Sequence, residues 1–326
     1  MPEVVLVTGA AGFVGSYLLD LLSHNESTPL IVGWKRPQLH RKKTFPSPRS
    51  FSNNQTIRWK EIDLLDKQRV TSAIAKLQPS MIYHCAGIAN VLSSWTNVIQ
   101  TLEGNIRSTQ FLLDGISAAG CSSRVLIPGS ALIYKPSNHA ISESDPIGPV
   151  SPYGLSKLAQ EMLGYQFFEQ GLNVLLTRSF THLGAGQAPS YAASSFAYQI
   201  AQIEADDNVE PVIRVGSLDT KRDLMDVRDT VLAYQALMEG GNTGTPYNVC
   251  SGKAHRIGDV LENLLSQSQV SIKIQIDNNR LRPQDNRLLL GDPSLIQNDV
   301  GWKSHINLTD TLCDLLNYWR TTIRSA

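Results

Sequence analysis

The chain has 326 residues, 29 Lys+Arg against 29 Asp+Glu, a formal net charge of zero and a hydrophobic fraction of 42%. A neutral chain has no global field to hold a polyanion, which argues against nucleic acid or an anionic membrane as partner, and so high an apolar fraction excludes a disordered chain. The length suits two domains of about 150 residues, or one large domain with a smaller lobe.

No apolar run of about 18 residues occurs, and the start MPEVVLVTGA lacks the parts of a secretory signal, so a cytoplasmic protein is expected. Cys85, Cys121, Cys250 and Cys313 are scattered without a C-x-x-C pair, so neither a metal site nor a disulfide framework is expected.

Val4-Val5-Leu6-Val7 ends at Thr8-Gly9 and is followed by Phe13, Val14, Tyr17, Leu18, Leu21 and Leu22 at helical spacing: strand, tight turn, helix. Further strands are predicted at Pro29 to Val32, near Thr56 to Trp59 and at Met81 to His84, with a helix marked by Val70, Ile74 and Leu77. Leu102 to Ile116 reads as one long amphipathic segment, Arg124 to Ile127 as a buried strand, Leu155 to Tyr165 as a helix and Val174 to Thr177 as a strand. Such alternation predicts an α/β fold, a doubly wound parallel sheet with helices on both faces. Between Trp34 and Arg58 a basic stretch rich in Pro, Ser and Asn reads as an exposed loop. From about Leu183 the alternation decays. Tyr247 to Cys250 reads as a returning strand, while Ile272 to Ile276 and a tail helix around Leu312 to Trp319 read as a small interleaved lobe. The expected division is 1–180 plus about 224–262 for the sheet domain, and about 181–223 plus 263–326 for the lobe.

Gly9, Gly12 and Gly15 have the spacing G-x-x-G-x-x-G between a strand and a helix. Such a turn lets the backbone approach a pyrophosphate, whose charge meets the first-turn N–H groups around Phe13 and Val14. An acid ending the second strand would favour a free ribose 2′-hydroxyl. Here that strand runs into Lys35 and Arg36, so NADP(H) is the expected cofactor, with Arg36 as the main clamp and Lys35 assisting.

Tyr153 and Lys157 stand four residues apart at a helix start and share one face. A neighbouring ammonium, helped by an oxidised nicotinamide, favours the phenolate, so the pair reads as a proton-transfer group whose phenol is tuned downward by the lysine, with Lys157 also holding the cofactor ribose. Ser130, just beyond the strand ending at Ile127, is placed to hold a substrate oxygen.

Together the glycine turn, Asp63-Leu64-Leu65-Asp66, His84-Cys85-Ala86-Gly87, Asn105, Gly129-Ser130 and Tyr153-x-x-x-Lys157 resemble the extended short-chain dehydrogenase/reductase family, over nearly the whole chain. The resemblance implies a Rossmann domain with a C-terminal lobe for a nucleoside-diphosphate sugar. Asp63, Leu64 and Ala86 would then line the cofactor, Asn105 would lie near the catalytic group, and Ser130, Tyr153 and Lys157 would be catalytic. Arg178 to Gln187, Val215 to Asp223, Asp226-Val227-Arg228-Asp229, Leu281-Arg282-Pro283 and Leu290 to Pro293 resemble the branch acting on GDP-mannose derivatives. By that resemblance Arg222 and Arg282 would pair with the substrate diphosphate and Asp285 with its ribose, while Asn90, Ser94, Thr181 and Gln187 would line the sugar pocket. Thr181 stands where the family usually has Asn, and Ala185 where it has Pro.

Dehydratases of this branch need an acid/base group beside the catalytic hydroxyl. Ala131 and Leu132 stand there and cannot move a proton. The implied activity is therefore NADPH-dependent reduction of the 4-keto group of a GDP-4-keto-6-deoxyhexose. The alternatives are a nucleotide-sugar 4,6-dehydratase, or a 4-epimerase retaining its dinucleotide. A homodimer is expected through helices near Leu102 to Ile116 and Leu155 to Phe168, as the family usually forms.

Overall fold

The computed structural model describes residues 3–24, 30–37, 57–280 and 287–325. The first half is built from β1 (Val4–Thr8), α1 (Phe13–Ser23), β2 (Leu30–Lys35), β3 (Arg58–Glu61), α2 (Lys67–Leu77) and β4 (Met81–His84). Two short helices follow, α3 (Val91–Ser94) and α4 (Val98–Leu102), then a π-helical turn at Glu103–Arg107, α5 (Ser108–Ala118), β5 (Arg124–Pro128), α6 (Pro152–Glu169) and β6 (Asn173–Ser179). The remainder comprises β7 (Thr181–Leu183), α7 (Ala192–Ala205), β8 (Val212–Val215), β9 (Lys221–Asp226), α8 (Val227–Gly240) and β10 (Pro246–Val249). It closes with β11 (Ala254–Arg256), α9 (Ile257–Ser266), β12 (Lys273–Ile276), β13 (Leu288–Leu289), α10 (Ser294–Val300) and α11 (Leu308–Arg324).

Seven parallel strands run in the order β10-β6-β5-β4-β1-β2-β3. The order reverses between β1 and β4, which opens a crevice at their carboxyl ends. Strand period two distributes the core. Val5, Val7, Ile31, Tyr83, Leu126 and Leu175 face one layer with α1 and α8; Val4, Leu6, Val32, Ile82, Val125 and Leu176 face the other with α2 and α5. The doubly wound sheet expected from the alternation is thus the observed fold.

The segment expected as one helix from Leu102 to Ile116 is interrupted. Ser108 and Thr109 direct their hydroxyls back to the carbonyls of Gly104 and Asn105, at 2.6 and 2.7 Å, and the backbone between them takes a wider π turn.

The lobe has its own core, in which Phe196, Ile200, Ile213, Val260, Leu261, Leu315 and Trp319 are buried together. Its α9 packs on α7 and α11, so residues up to 266 that were expected partly in the sheet domain belong to the lobe. In contrast α10 returns to the sheet domain, where Ile296 and Trp302 join the α1/α8 layer. Buried acids on either side of the start of α8 fasten the two parts. Asp223 accepts from Ser251, Gly252 and Gly291; Asp226 caps α8 and accepts from Thr311; Asp229 accepts from the backbone of His305 and Ile306. No helix among the described residues is long and apolar enough to cross a membrane.

Candidate active site

The glycine turn stands at the carboxyl end of β1. Gly9 has φ +65°, and a Cβ there would lie 2.6 Å from the backbone nitrogen of Ala86, so this turn and the loop after β4 touch backbone to backbone. At Gly15 a Cβ would run into the Gly9 carbonyl oxygen. Helix α1 then begins at Phe13 with no capping side chain and no acid in its first turn, a donor-rich terminus that fits a pyrophosphate. Lys35 ends β2 and pairs with Glu61 at 3.2 Å, whereas Arg36 is exposed beside it. Asp63 follows β3 and accepts from the backbone of Leu65, 3.1 Å away. These groups share the carboxyl edge of the sheet, and together they fit a dinucleotide.

Helix α6 starts with Ser151 as its cap, accepting from the nitrogen of Gly154, and with Pro152 in its first turn. Tyr153 and Lys157 lie buried on its inner face. Ser94 accepts the Tyr153 backbone N–H at 3.2 Å, which ties α3 to the start of α6. Leu132 donates its backbone N–H to Ser130 Oγ, leaving the hydroxyl hydrogen to donate, and Ser130 bonds the Tyr153 phenol.

The electrostatics depart from the expected tuning. Burial dominates and pushes the Tyr153 phenol up, Tyr191 adds to the rise, and Ser130 opposes it. Lys157 Nζ instead donates to the Pro128 carbonyl at 2.8 Å and to Gln160 Oε1 at 2.6 Å, while burial lowers its pKa to about 8. The phenol is therefore held protonated at neutral pH.

Other expected positions carry structural bonds. Asn105 is fully buried; its amide accepts from Ile88 N and donates to Ile88 O and Ser156 Oγ. Ser156 in turn donates to the Tyr153 carbonyl, so Asn105 reaches Tyr153 through Ser156. Asn90 caps α3 by accepting from Ser93 N, and Gln187 donates to the His182 carbonyl, closing the loop after β7. Thr181 lies in β7, paired with Leu224, and Arg222 lies in β9 with Nη1 on the Lys221 carbonyl. Arg282 and Asp285 fall outside the described residues.

Sequence reasoning passed over His182. Its ring stacks on Phe13 of the glycine turn at 6.2 Å, and its Nδ1 is 3.2 Å from the Phe180 carbonyl. Burial lowers its pKa to about 4 and keeps it neutral. Tyr191, at the start of α7, was likewise passed over. Neither has a local pattern to betray it, because each reaches the site from a different part of the chain. Among the described residues no group of three His, Cys, Asp or Glu could hold a metal ion.

The family model for GDP-mannose 4,6 dehydratase matches residues 6–315. The chain belongs to this family. It is 31% identical over 328 residues to GDP-6-deoxy-D-mannose reductase of Pseudomonas aeruginosa, an alignment covering 99% of each chain. The structure of RMD from Pseudomonas aeruginosa complexed with NADPH is similar at a TM-score of 0.82 and 29% identity, over 98% of this chain and 99% of that one. MoeE5 in complex with UDP-glucuronic acid and NAD is similar at a TM-score of 0.83 and 27% identity, over 98% and 99% of the two chains. The resemblance to extended short-chain dehydrogenase/reductases therefore holds across the whole chain, and this member of the dehydratase family is an enzyme of that NAD(P)-dependent class.

Proposed function

We propose that the protein reduces the 4-keto group of a GDP-linked 4-keto-6-deoxyhexose with NADPH, yielding a GDP-6-deoxyhexose of the GDP-D-rhamnose type. The observation that carries this reading is what stands beside the catalytic hydroxyl. Ala131 and Leu132 form the turn after Ser130, and the groups acting on the Tyr153 phenol are Tyr191 and Ser130, neither a carboxylate. Elimination of water from C6 needs a base at C5, whereas ketone reduction needs one proton donor.

NADPH supplies the hydride when bound. Gly9, Gly12, Phe13, Val14 and Gly15 would hold its pyrophosphate, Asp63, Leu64 and Ala86 its adenosine side, and Arg36 with Lys35 its 2′-phosphate. Ser130 donates a hydrogen bond to the 4-keto oxygen, and Tyr153 gives that oxygen its phenolic proton as C4 accepts hydride. Lys157 then stabilises the phenolate left behind. The high phenol pKa suits this direction, since the enzyme rests with the proton in place. Arg222, with Arg282 and Asp285, would hold the GDP moiety. The name of the 31% identical relative agrees with this substrate class.

A coupled assay tests the proposal: a separate dehydratase generates the 4-keto sugar from GDP-mannose, and loss of NADPH absorbance is followed. Oxidation of NADPH with formation of a GDP-6-deoxyhexose is expected. No consumption above background would refute it, as would purified protein carrying NAD that interconverts sugars without net redox.

We further infer a homodimer. Leu92 on α3, Trp95 just after it, Ile99 on α4, and Leu155, Met162 and Tyr165 on α6 form an exposed apolar face, with Ile99 71% and Met162 58% exposed. A second copy of the same face would cover it. Within the stretch expected at the interface, Leu112, Leu113 and Ile116 of α5 are instead fully buried within the subunit.

A further inference from the structure

Beneath the catalytic helix a chain of fully buried polar groups links four elements. Thr8 Oγ1 lies 2.8 Å from His84 Nδ1, and His84 Nε2 lies 2.9 Å from Thr109 Oγ1. Gln160 Nε2 donates to the same Thr109 oxygen at 2.7 Å, and Gln160 Oε1 accepts from Lys157 Nζ at 2.6 Å. Thr8, Thr109 and Gln160 have no exposed surface, and His84 has 1%.

Hydrogen accounting fixes every orientation. Thr109 has one hydroxyl hydrogen, and the Asn105 carbonyl at the π turn takes it at 2.7 Å. Both remaining lone pairs of Thr109 Oγ1 must then meet donors, which are His84 Nε2–H and Gln160 Nε2–H. Because Gln160 presents nitrogen to Thr109, it presents oxygen to Lys157. Burial holds His84 neutral, so its Nδ1 accepts from Thr8, and Thr8 Oγ1 accepts from the backbone N–H of Ala86 at 3.3 Å.

We propose that Gln160 is a positioning residue for Lys157, its carbonyl oxygen locked by the Thr8–His84–Thr109 chain so that it holds the ammonium at one point of the site. This rests on the reading of Lys157 as the cation supporting Tyr153. The titratable groups whose charge would act on Lys157 are His84, held neutral by burial, and the Cys85 thiol, pushed up to about 12 by burial. The ammonium is thus compensated by two neutral oxygens, those of Pro128 and Gln160. Removing one leaves a buried charge short of an acceptor, which favours the neutral amine.

The test uses full-length protein labelled with [13Cε]lysine, the Lys157 signal assigned through Lys157→Arg and its titration followed by NMR without substrate. In Gln160→Met the midpoint should fall from about 8 by about one pH unit or more, since a hydrogen bond to an ammonium is lost. Gln160→Glu, which keeps an acceptor and adds opposite charge, should raise it. With NADPH turnover added, a fall of about one pH unit predicts about a fivefold loss for Gln160→Met at pH 8 and hardly any at pH 6. Should Gln160→Met fail to fold, Thr109→Val frees the amide and should lower the midpoint in the same direction, and Thr109→Ser should restore it. A midpoint that stays put in these variants overturns the proposal. Failure of the reductase reading would show separately, as absence of NADPH oxidation by the unmodified protein.

Discussion

Glu161 and Arg178 make a bidentate ion pair, Nη2 to Oε1 at 2.7 Å and Nε to Oε2 at 3.0 Å, with side chains 8% and 5% exposed. The pair joins α6, one turn beyond Lys157, to β6, and Arg178 Nη1 also donates to Tyr134 Oη and to the Glu143 carbonyl. Glu161→Ala would strip acceptors from two guanidinium nitrogens while Nη1 keeps both of its own. Removing one partner of a buried pair costs about 3–5 kcal/mol. For 326 residues the unfolding entropy at about 2.1 cal/mol/K per residue is roughly 0.7 kcal/mol/K, so Tm should fall by about 4–7 °C. Arg178→Met alone strands the carboxylate and should cost about as much. The double variant Glu161→Leu with Arg178→Met removes both charges, and Tyr134 Oη still donates to Asn248 Oδ1 at 2.8 Å. It should therefore lie within about 1–2 kcal/mol of the parent, a coupling that thermal and urea unfolding of all four proteins measures. A Glu161→Ala loss below about 1 kcal/mol, or a double variant losing the sum of the singles, would refute the reasoning.

Tyr153→Phe should lower turnover by at least about 100-fold and leave the Kd for NADPH within about twofold, because it removes the proton donor and no phosphate contact; near-normal turnover would remove Tyr153 from its role. Arg36→Ala should weaken NADPH by about tenfold and leave NADH unchanged, read by fluorescence titration of both. His84 and His182, lowered to about 3 and about 4 from 6.5 by burial, bind no proton in the folded state over a range where the unfolded chain does. Stability should consequently fall as pH drops from 6.5 towards 4, by up to about 1.4 kcal/mol per pH unit for each, and His84→Gln should reduce that slope in urea titrations. An unchanged slope would contradict it. Ile99→Glu with Met162→Glu should convert a dimer to monomer in sedimentation, with the subunit still folded by circular dichroism because neither side chain lies in its core.

The sequence by itself determined the sheet, the glycine turn and the Tyr153–Lys157 spacing, because each depends on local periodicity or on residues a turn apart. Strands of period two carry their own assignment to the two faces, and Gly9 announces a backbone that a Cβ would block. What only the tertiary structure decided lies between segments distant in the chain. Thr109 and Gln160 are 51 residues apart, yet one proton count links them. His182 reaches Phe13 across the join of sheet and lobe. Helix α9 joined the lobe although its sequence continues from the last sheet strand, since its apolar side found α7 and α11. The direction of the Tyr153 shift was also beyond the sequence. Spacing puts an ammonium on the same helix face, but burial and the two oxygens that hold Lys157 determine which influence on the phenol prevails.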